Sequence, residues 1–481
     1  MDAEVGRGAA ARLFGYSSIS WIGAIVGIII VPMSTRFFLP EDLGKINLFI
    51  STSTIFYCIC LLGFDQGFMR FFFDFKEKEE GRWLYAKCVV TSILAFVLLS
   101  LVCMLASPWL SSFIAGEKDM LIVPLLLLVV ASQIALRYSQ TYWRAADRLI
   151  PFAVLSLSMI ALMKFCYFFG GVVSFDFMSG AFSLAIFAVA FILLSLLFTK
   201  DELFGQKKKP SNHTYARLLK YSLPIAPAVL LSTANGYIPM YAVRAIADLG
   251  EVGVYSMAVT LTAVISVFSS GINSFWPPYV FKNYKTKQKS IQVFHQALVL
   301  VLSFLVISVM SLQDAALLFL GEGYLEAASY FPFLLIAPFA YAVGETAGVG
   351  IHIAKKSKYS LLTYLVGITS NIFLSFGLTK YFGVVGAAAA AAISAILMLV
   401  IKTHFGEREY QSVGSYRYMG SSLSVMFALA LAKSVLGLSS FEFFFACVVG
   451  FALVVMSFGK KDLCQAWKLL IRGVRDVFFE K

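Results

Sequence analysis

The chain has 481 residues, of which 59% are hydrophobic and only 14% charged, and its formal net charge is +12. This composition excludes an ordinary water-soluble domain, in which about 25% of the residues are charged. The positive charge alone would suggest an anionic partner such as nucleic acid. The distribution of the basic residues, considered below, gives a different explanation.

Long apolar runs occupy most of the sequence. A transmembrane helix needs about 20 mainly apolar residues, whereas a strand of a membrane barrel needs about 9–11. Fourteen runs reach helical length, so the sequence predicts an all-α polytopic membrane protein with 14 transmembrane helices. In chain order the runs are 13–35, 46–66, 84–107, 120–142, 150–170, 177–198, 218–243, 252–275, 293–311, 331–353, 360–379, 384–401, 418–436 and 441–458.

The seventh run begins like the first. The segment ARLFGYS at 11–17 returns as ARLLKYS at 216–222, and shorter matches follow at nearly the same offset. An internal repeat whose two units start at the same membrane face is typical of alternating-access transporters. Because each unit holds six runs, the sequence predicts two parallel six-helix repeats and an extra C-terminal hairpin.

These repeats define the predicted domains. An N-terminal six-helix bundle covers 1–199, a cytoplasmic linker 200–214, and a C-terminal six-helix bundle 215–404. The extra helix pair 13–14 covers 405–459, and a cytoplasmic amphipathic tail covers 460–481. The apolar stripe and the basic residues of the tail favour an interfacial helix on the anionic inner leaflet, with a partner-docking helix as the alternative.

The basic residues predict the orientation. With the N-terminus placed in the cytoplasm, most of the 39 Lys and Arg residues fall in inner segments, as the positive-inside rule requires. Both termini are therefore expected to be cytoplasmic, and topology explains the net charge without nucleic acid. The outer loops would hold only Arg36, Lys45, Lys118, Arg244, Lys380 and Lys433.

The sequence offers no sign of a cofactor. Its seven cysteines show no pairing pattern and its four histidines are scattered, so we expect neither a metal site nor a haem site. It has no P-loop, which excludes ATP hydrolysis by this chain.

Five segments carry a family pattern: STRFFLPEDLGKINLF at 34–49, GFDQGFMRFFFDFKEKEEGR at 63–82, DLGEVGVYSMAVTLTAV at 248–264, SFWPPYVFKNY at 274–284 and TKYFGVVGAAAAAAIS at 379–394. In these segments and in its fourteen runs, the chain resembles bacterial polysaccharide flippases. These are the Wzx-like translocases of the multidrug/oligosaccharidyl-lipid/polysaccharide exporter superfamily.

The resemblance implies a V-shaped central cleft and a function in the bacterial plasma (inner) membrane. Such proteins move undecaprenyl-diphosphate-linked oligosaccharides from the inner to the outer leaflet, as in O-antigen and lipopolysaccharide synthesis. Membrane lipids, a polysaccharide polymerase and assembly proteins would be the further partners. The chain departs from the family where many relatives have Asp-Arg, because it has Val243-Arg244, and it keeps only Asn371 of a usual Asn pair.

The first candidate site residues are basic. A diphosphate needs counter-charges when it passes through hydrocarbon, and arginine offers a bidentate fork. Arg12 and Arg217 hold equivalent places at the inner mouths of the first and seventh runs, and Lys220 lies one turn deeper. We expect these three residues to bind the cargo. Their alternative role is ordinary anchoring at the positive face.

Four more basic residues are candidates for the same role. Lys164 lies about four turns into the fifth run, where an unpaired charge usually faces a cavity unless it snorkels to the surface. Arg137 and Arg144 share one face of the fourth helix, with anchoring as their alternative role. Arg244 is included as the basic member of the altered Val-Arg pair.

Acidic residues in the runs are candidates for ion coupling. Glu345 and His352 are seven residues apart on one helical face, so they could relay a proton, or else form a structural hydrogen bond. Nearby, Gly344 and Gly348 would let another helix approach closely. Asp65 could couple ions too, although pairing with a basic residue at a helix end is the simpler interpretation.

Prolines interrupt the first helix of each repeat. Pro32 lies in the first run, and Pro224, Pro227 and Pro239 lie in the seventh. Proline kinks a helix, and breaks at corresponding positions of two repeats indicate a hinge or a binding site. We therefore expect these four residues to act as hinges.

Two other functions were weighed against a flippase. A cation-coupled multidrug exporter of the related branch is disfavoured, since cationic drugs would require carboxylates where this chain has basic residues. A membrane polymerase or glycosyltransferase is disfavoured because the outer loops are short. We therefore expect a non-enzymatic flippase that uses an ion gradient.

Overall fold

The computed structural model describes residues 19, 21–23, 25–75, 77–210 and 214–459. Every regular element in these ranges is a helix, which confirms the all-α polytopic prediction. The chain divides into two compact units: Met1–Tyr237 with Asp248–Gly253, and Ile238–Ala247 with Val254–Lys481. We call them unit 1 and unit 2.

Unit 1 is arranged around a central helix, α6, whose apolar stretch is 67% buried. Helices α2, α4, α7 and α8 all pack on α6, and α9 packs on α2 and α3. The helices of unit 1 are α1 (Trp21–Phe37), α2 (Pro40–Leu61), α3 (Phe64–Phe71), α4 (Lys78–Leu105), α5 (Ser107–Ala115), α6 (Ile122–Ala145), α7 (Leu149–Lys164), α8 (Phe177–Phe204) and α9 (Thr214–Asn235).

Local chemistry fixes where several of these helices begin and end. Pro40 opens α2 at a position where no N–H is needed, and two acidic residues follow in its first turn. Left-handed backbone at Leu62 and Gly63 ends α2 and turns the chain into α3. Asp176 caps α8 by accepting a hydrogen bond from the Ser179 amide at 2.8 Å.

The Asp176 carboxyl is also tuned by its surroundings. Burial raises its pKa, but hydrogen bonds from Ser174 and Ser179 favour the ionised form more strongly. The net effect is a pKa below the ordinary aspartate value. The carboxylate therefore remains charged and able to cap α8.

Unit 2 is arranged around α15, which packs against α12, α13, α17 and α18. It begins with α10, which packs on α17. Helix α11 (Leu249–Leu261) starts in unit 1 and continues into unit 2. The other helices of unit 2 are α10 (Ile238–Ile246), α12 (Ala263–Asn283), α13 (Gln288–Ser311), α14 (Gln313–Leu317), α15 (Phe331–Ala347), α16 (Val349–Ile353), α17 (Ser357–Glu409), α18 (Tyr416–Leu436) and α19 (Ser440–Ser457).

Gly383 separates two helices within the long segment α17. Its φ of 57° and ψ of −143° are not helical, and a residue with a side chain would rarely adopt this φ. The break falls between the predicted eleventh and twelfth spans. Glycine thus provides the turn between two helices that are almost continuous in sequence.

The number of membrane spans stays a prediction. Within the described residues, nine helices are long and apolar enough to cross a membrane, or up to eleven if two bent pairs each count as one span. The predicted domain boundaries and the cytoplasmic termini are likewise still predictions. The amphipathic tail at 460–481 lies outside the described residues.

Glycines allow close packing of α16 against α17 in unit 2. A Cβ on Gly350 would lie against the backbone carbonyl oxygen of Gly406, inside van der Waals contact. In contrast, a Cβ on Gly377 would have no neighbouring atom within 4 Å. Backbone contact of this kind requires glycine.

We therefore predict that Gly350→Ala lowers the thermal unfolding midpoint of the purified protein, because overpacking costs about 1–3 kcal/mol. Gly377→Ala is the matched control, and we expect its midpoint to equal or exceed that of the wild type. Equal midpoints for the two variants would show that the α16–α17 contact adds no stability.

Candidate functional site

One side of α9 is exposed and basic. The helix buries Leu218 and Ser222 on its opposite side. Spacings of three or four residues place five exposed residues along one stripe of a helix. This stripe, called here the α9 basic face, consists of Arg217, Lys220, Tyr221, Pro224 and Pro227.

Two glycines, Gly63 just before α3 and Gly67 within it, hold α9 in place within unit 1. A Cβ on Gly63 would lie 2.6 Å from the carbonyl oxygen of Ser222, and one on Gly67 would overlap the Ser222 hydroxyl. The ring of Phe71 also meets the ring of Tyr221 edge-on, with centroids 5.7 Å apart. These contacts fix the rotation of α9 and so determine which of its side chains stay exposed.

A cavity of 480 Å³ lies at the start of α9 in unit 1. Arg217 lines it together with two carboxylate residues, Asp74 and Glu80. Asp74 lies in the segment that joins α3 to α4, and Glu80 lies in the first turn of α4. Arg217 forms no salt bridge within 4 Å in the described part of the chain. Its guanidinium therefore keeps its donors available.

Asp65 and Arg137 form a salt bridge between α3 and α6. The guanidinium donates from Nε and Nη2 to one carboxylate oxygen, Oδ2, at 3.0 and 2.7 Å. Asp65 is 3% exposed, whereas the Arg137 side chain is 36% exposed. The other carboxylate oxygen, Oδ1, is buried and has no hydrogen-bond partner among the described residues. Asp65 thus fixes a cation whose remaining donors stay accessible.

The other basic candidates lie apart from this pair. Lys164 ends α7, is half-buried and has no ion pair or hydrogen bond with the described residues. Arg144 is exposed in the last turn of α6. Arg244 is half-buried in the last turn of α10, in unit 2. Arg12 lies outside the described residues.

In unit 2, Glu345 pairs with a lysine. The Nζ of Lys402 donates to the Glu345 carboxylate at 2.8 Å. The Lys402 side chain packs against Gly344 and Gly348. The close partner expected at these two glycines is therefore α17. His352 is exposed, and none of the described hydrogen bonds joins it to Glu345.

The prolines occupy two kinds of position. Pro32 lies inside α1, and Pro224 and Pro227 lie inside α9. The seventh run then breaks after Asn235, and Pro239 falls in the first turn of α10. The predicted single seventh span is thus two helices, of which α9 belongs to unit 1 and α10 to unit 2.

Two polar contacts of unit 2 were not predicted from the sequence. Nothing in the sequence spacing relates Lys402 to Glu345, because the two residues lie on different helices. His295 is fully buried and shares a 2.8 Å hydrogen bond through Nδ1 with the Thr346 hydroxyl. A histidine in an apolar run was the available signal, but its partner is remote in sequence.

Comparison with known proteins gives a family and a fold. The family model described as polysaccharide biosynthesis protein matches residues 11–284. The structure of lipid II flippase MurJ in an inward closed conformation is similar to the chain, with a TM-score of 0.68 and 15% sequence identity over 92% of this chain and 97% of that one. This similarity shows a shared fold.

An inward-facing multidrug resistance MATE family transporter of the MOP superfamily is more distantly similar. Its TM-score is 0.49 at 15% identity, over 82% of this chain and 95% of that one. No curated protein matches the chain in sequence.

The Asp65–Arg137 pair generates a stability prediction. Arg137→Leu should lower the free energy of unfolding by about 3–5 kcal/mol, because it leaves the buried Asp65 carboxylate without its partner. The double variant Asp65→Leu/Arg137→Leu should recover much of this loss, since no buried charge remains unpaired. Thermal unfolding of both variants measures the difference. A double variant no more stable than the single one would contradict this account of the pair.

Proposed function

Because the chain belongs to the polysaccharide biosynthesis protein family, we propose that it is a flippase for a lipid-linked oligosaccharide. It would move a polyprenyl-diphosphate-linked sugar from the inner to the outer leaflet by alternating access. The α9 basic face is the observation that carries the proposal. The fold of the chain, which is shared with a lipid II flippase, supports the proposal as well.

The cargo chemistry matches the α9 basic face. A diphosphate carries charges that hydrocarbon cannot solvate, so a path through the membrane has to supply donors and counter-charges. Arg217 offers a planar fork for two phosphate oxygens, and Lys220 adds a point charge one turn away. Because both side chains are exposed, they can bind an anion without first breaking a buried contact.

Two further cations in unit 1 would assist the cargo. Arg137 is held by Asp65 but keeps a third of its side chain exposed, so it would offer a fixed binding point. Lys164 has no counter-charge among the described residues, so an anionic group of the cargo could neutralise it. These two residues would act after the first contact at Arg217 and Lys220.

Coupling to an ion gradient is a separate part of the proposal. Asp65 and Glu345 are the acidic candidates, and each is neutralised by a basic partner. Protonation of either carboxylate would have to break its salt bridge. Proton uptake would therefore release Arg137 or Lys402, which gives a physical route from ion binding to a change of conformation.

The cellular setting follows from the same proposal. The protein would be a multi-pass protein of the bacterial plasma membrane with both termini in the cytoplasm. Undecaprenyl diphosphate would be the lipid carrier, and a polysaccharide polymerase would use the exported product. Translocation itself makes and breaks no covalent bond, so the chain would act without catalysis.

Reconstitution tests the proposed activity. In vesicles containing the purified protein and a fluorescent polyprenyl-diphosphate sugar, we expect protein-dependent access of an impermeant quencher to cargo that started in the inner leaflet. A fluorescent phosphatidylcholine in the same vesicles controls for leak. Equal quenching of the cargo with and without protein would refute the flippase proposal.

Substitutions test the assigned residues in that assay. Arg217→Ala with Lys220→Ala should lower the rate by roughly tenfold or more, since each charge-assisted hydrogen bond contributes about 1.5–3 kcal/mol. Arg12→Ala with Arg217→Ala should abolish translocation while leaving membrane insertion intact. Lys200→Ala, which removes an exposed charge at the end of α8, is the control and should keep the wild-type rate. Wild-type rates in the double variants would show that these residues do not bind the cargo and only anchor their helices at the positive face.

A further inference from the structure

A second cavity in unit 1 lies between α4, α6 and α8, away from the α9 basic face. Its volume is 550 Å³. Small side chains on α4 and α6 create the space, among them Ala86, Ala131 and Ala135. Apolar side chains form the rim, and several face the surroundings, since Val90 is 50% and Ile93 48% exposed. The cavity is therefore a groove that opens on the outer surface of a membrane-spanning helix.

The floor of the groove is polar. Tyr85, Tyr138, Ser195 and Thr199 all line it, and each of these residues is 1% exposed. Tyr138 shares a 2.7 Å hydrogen bond with Ser92, and Thr199 donates to the Ser195 carbonyl at 2.7 Å. The hydroxyl of Ser195 has no hydrogen-bond partner among the described residues. A buried hydroxyl in this state lacks the acceptor that such groups normally have.

A lysine stands at one end of the groove. Lys207 lines the groove beside Phe204, just after the end of α8. Its neighbour Lys208 is bound to Glu77 at 2.6 Å, and this hydrogen bond raises the pKa of Lys208 above the ordinary lysine value. The nearby carboxylate of Glu202 is shared by Lys78 and Arg82. Lys207 has no such carboxylate partner in the described part of the chain.

We propose that this groove binds one anionic glycerophospholipid of the leaflet at the Lys207 end. An acyl chain lies between α4, α6 and α8, and the phosphate meets Lys207. Basic pockets between transmembrane helices are known to hold anionic head groups.

The Ser195 hydroxyl, unpaired among the described residues, favours a glycerophospholipid over a polyprenyl lipid as the occupant of the groove. A glycerophospholipid has ester carbonyls that can accept its hydrogen bond, whereas a polyprenyl chain has none below its phosphate. The proposal therefore commits to a resident lipid of the bilayer and does not depend on the transported cargo. A lipid that binds only the folded state also stabilises the protein by mass action.

Native mass spectrometry of the detergent-purified full chain tests the proposal, with phosphatidylglycerol and phosphatidylcholine titrated as probes. We expect the wild type to retain one phosphatidylglycerol several-fold more tightly than phosphatidylcholine. Lys207→Gln should remove this preference. Lys209→Gln, which changes an exposed lysine that does not line the groove, should keep it.

Two further variants test the groove itself. Ala135→Phe fills the space between the helices and should weaken retention of both lipids, with the thermal midpoint reporting that the protein is folded. Ser195→Ala should weaken retention of a diacyl lipid more than that of its ether-linked analogue. Unchanged retention in Ala135→Phe and Lys207→Gln would overturn the proposal, and so would displacement of phosphatidylglycerol by equimolar polyprenyl phosphate. Either result could occur in a protein that still flips its cargo.

Discussion

A charge in hydrocarbon must have a partner, and this requirement governs how both units use their ionisable residues. In unit 1, Asp65 is buried and Arg137 neutralises it across α3 and α6. In unit 2, Glu345 and Lys402 do the same across α15 and α17. Among the charges without such partners in the described part of the chain, Arg217 and Lys220 on α9 are exposed, whereas Lys164 at the end of α7 is half-buried. Paired charges thus support the fold, and the exposed ones are available for an anion.

Close backbone packing gives this charge distribution its fixed geometry. Gly63 and Gly67 bring α3 against α9, and this contact orients the α9 basic face. Because α3 also carries Asp65, one short helix positions both the buried salt bridge and the exposed cations. Protonation of Asp65 would therefore act on the helix that supports the proposed cargo site. This link joins the proposed ion coupling to the proposed binding of the diphosphate.

The sequence predicted the class of fold because span length and hydropathy are local properties. It also predicted an interruption of the seventh run, which does divide after Asn235, but Pro224 and Pro227 lie inside the continuous helix α9 and their role as hinges stays a prediction. The simpler interpretation of Asp65, a pairing with a basic residue, is what the structure shows with Arg137.

The remaining features depend on contacts between residues that are distant in sequence. No spacing rule relates Glu345 to Lys402, or His295 to Thr346, because each pair joins different helices. The groove between α4, α6 and α8 depends on three helices at once, so its small residues looked like ordinary apolar sequence. The division of the seventh run between two units was also hidden, since a proline predicts a kink but not which neighbours each half will contact.

The central claim is that the α9 basic face receives the diphosphate, and cargo protection of a single cysteine tests it most directly. Tyr221→Cys places a thiol between Arg217 and Pro224 on that face, the cysteines in the described part of the wild-type chain are all buried, and Cys464, which lies outside that part, is replaced by serine in the variant and in its control. In membrane vesicles, a polyprenyl-diphosphate sugar should slow the reaction of this thiol with an impermeant maleimide, and phosphatidylglycerol should not. Equal labelling rates with and without the diphosphate cargo would contradict the account.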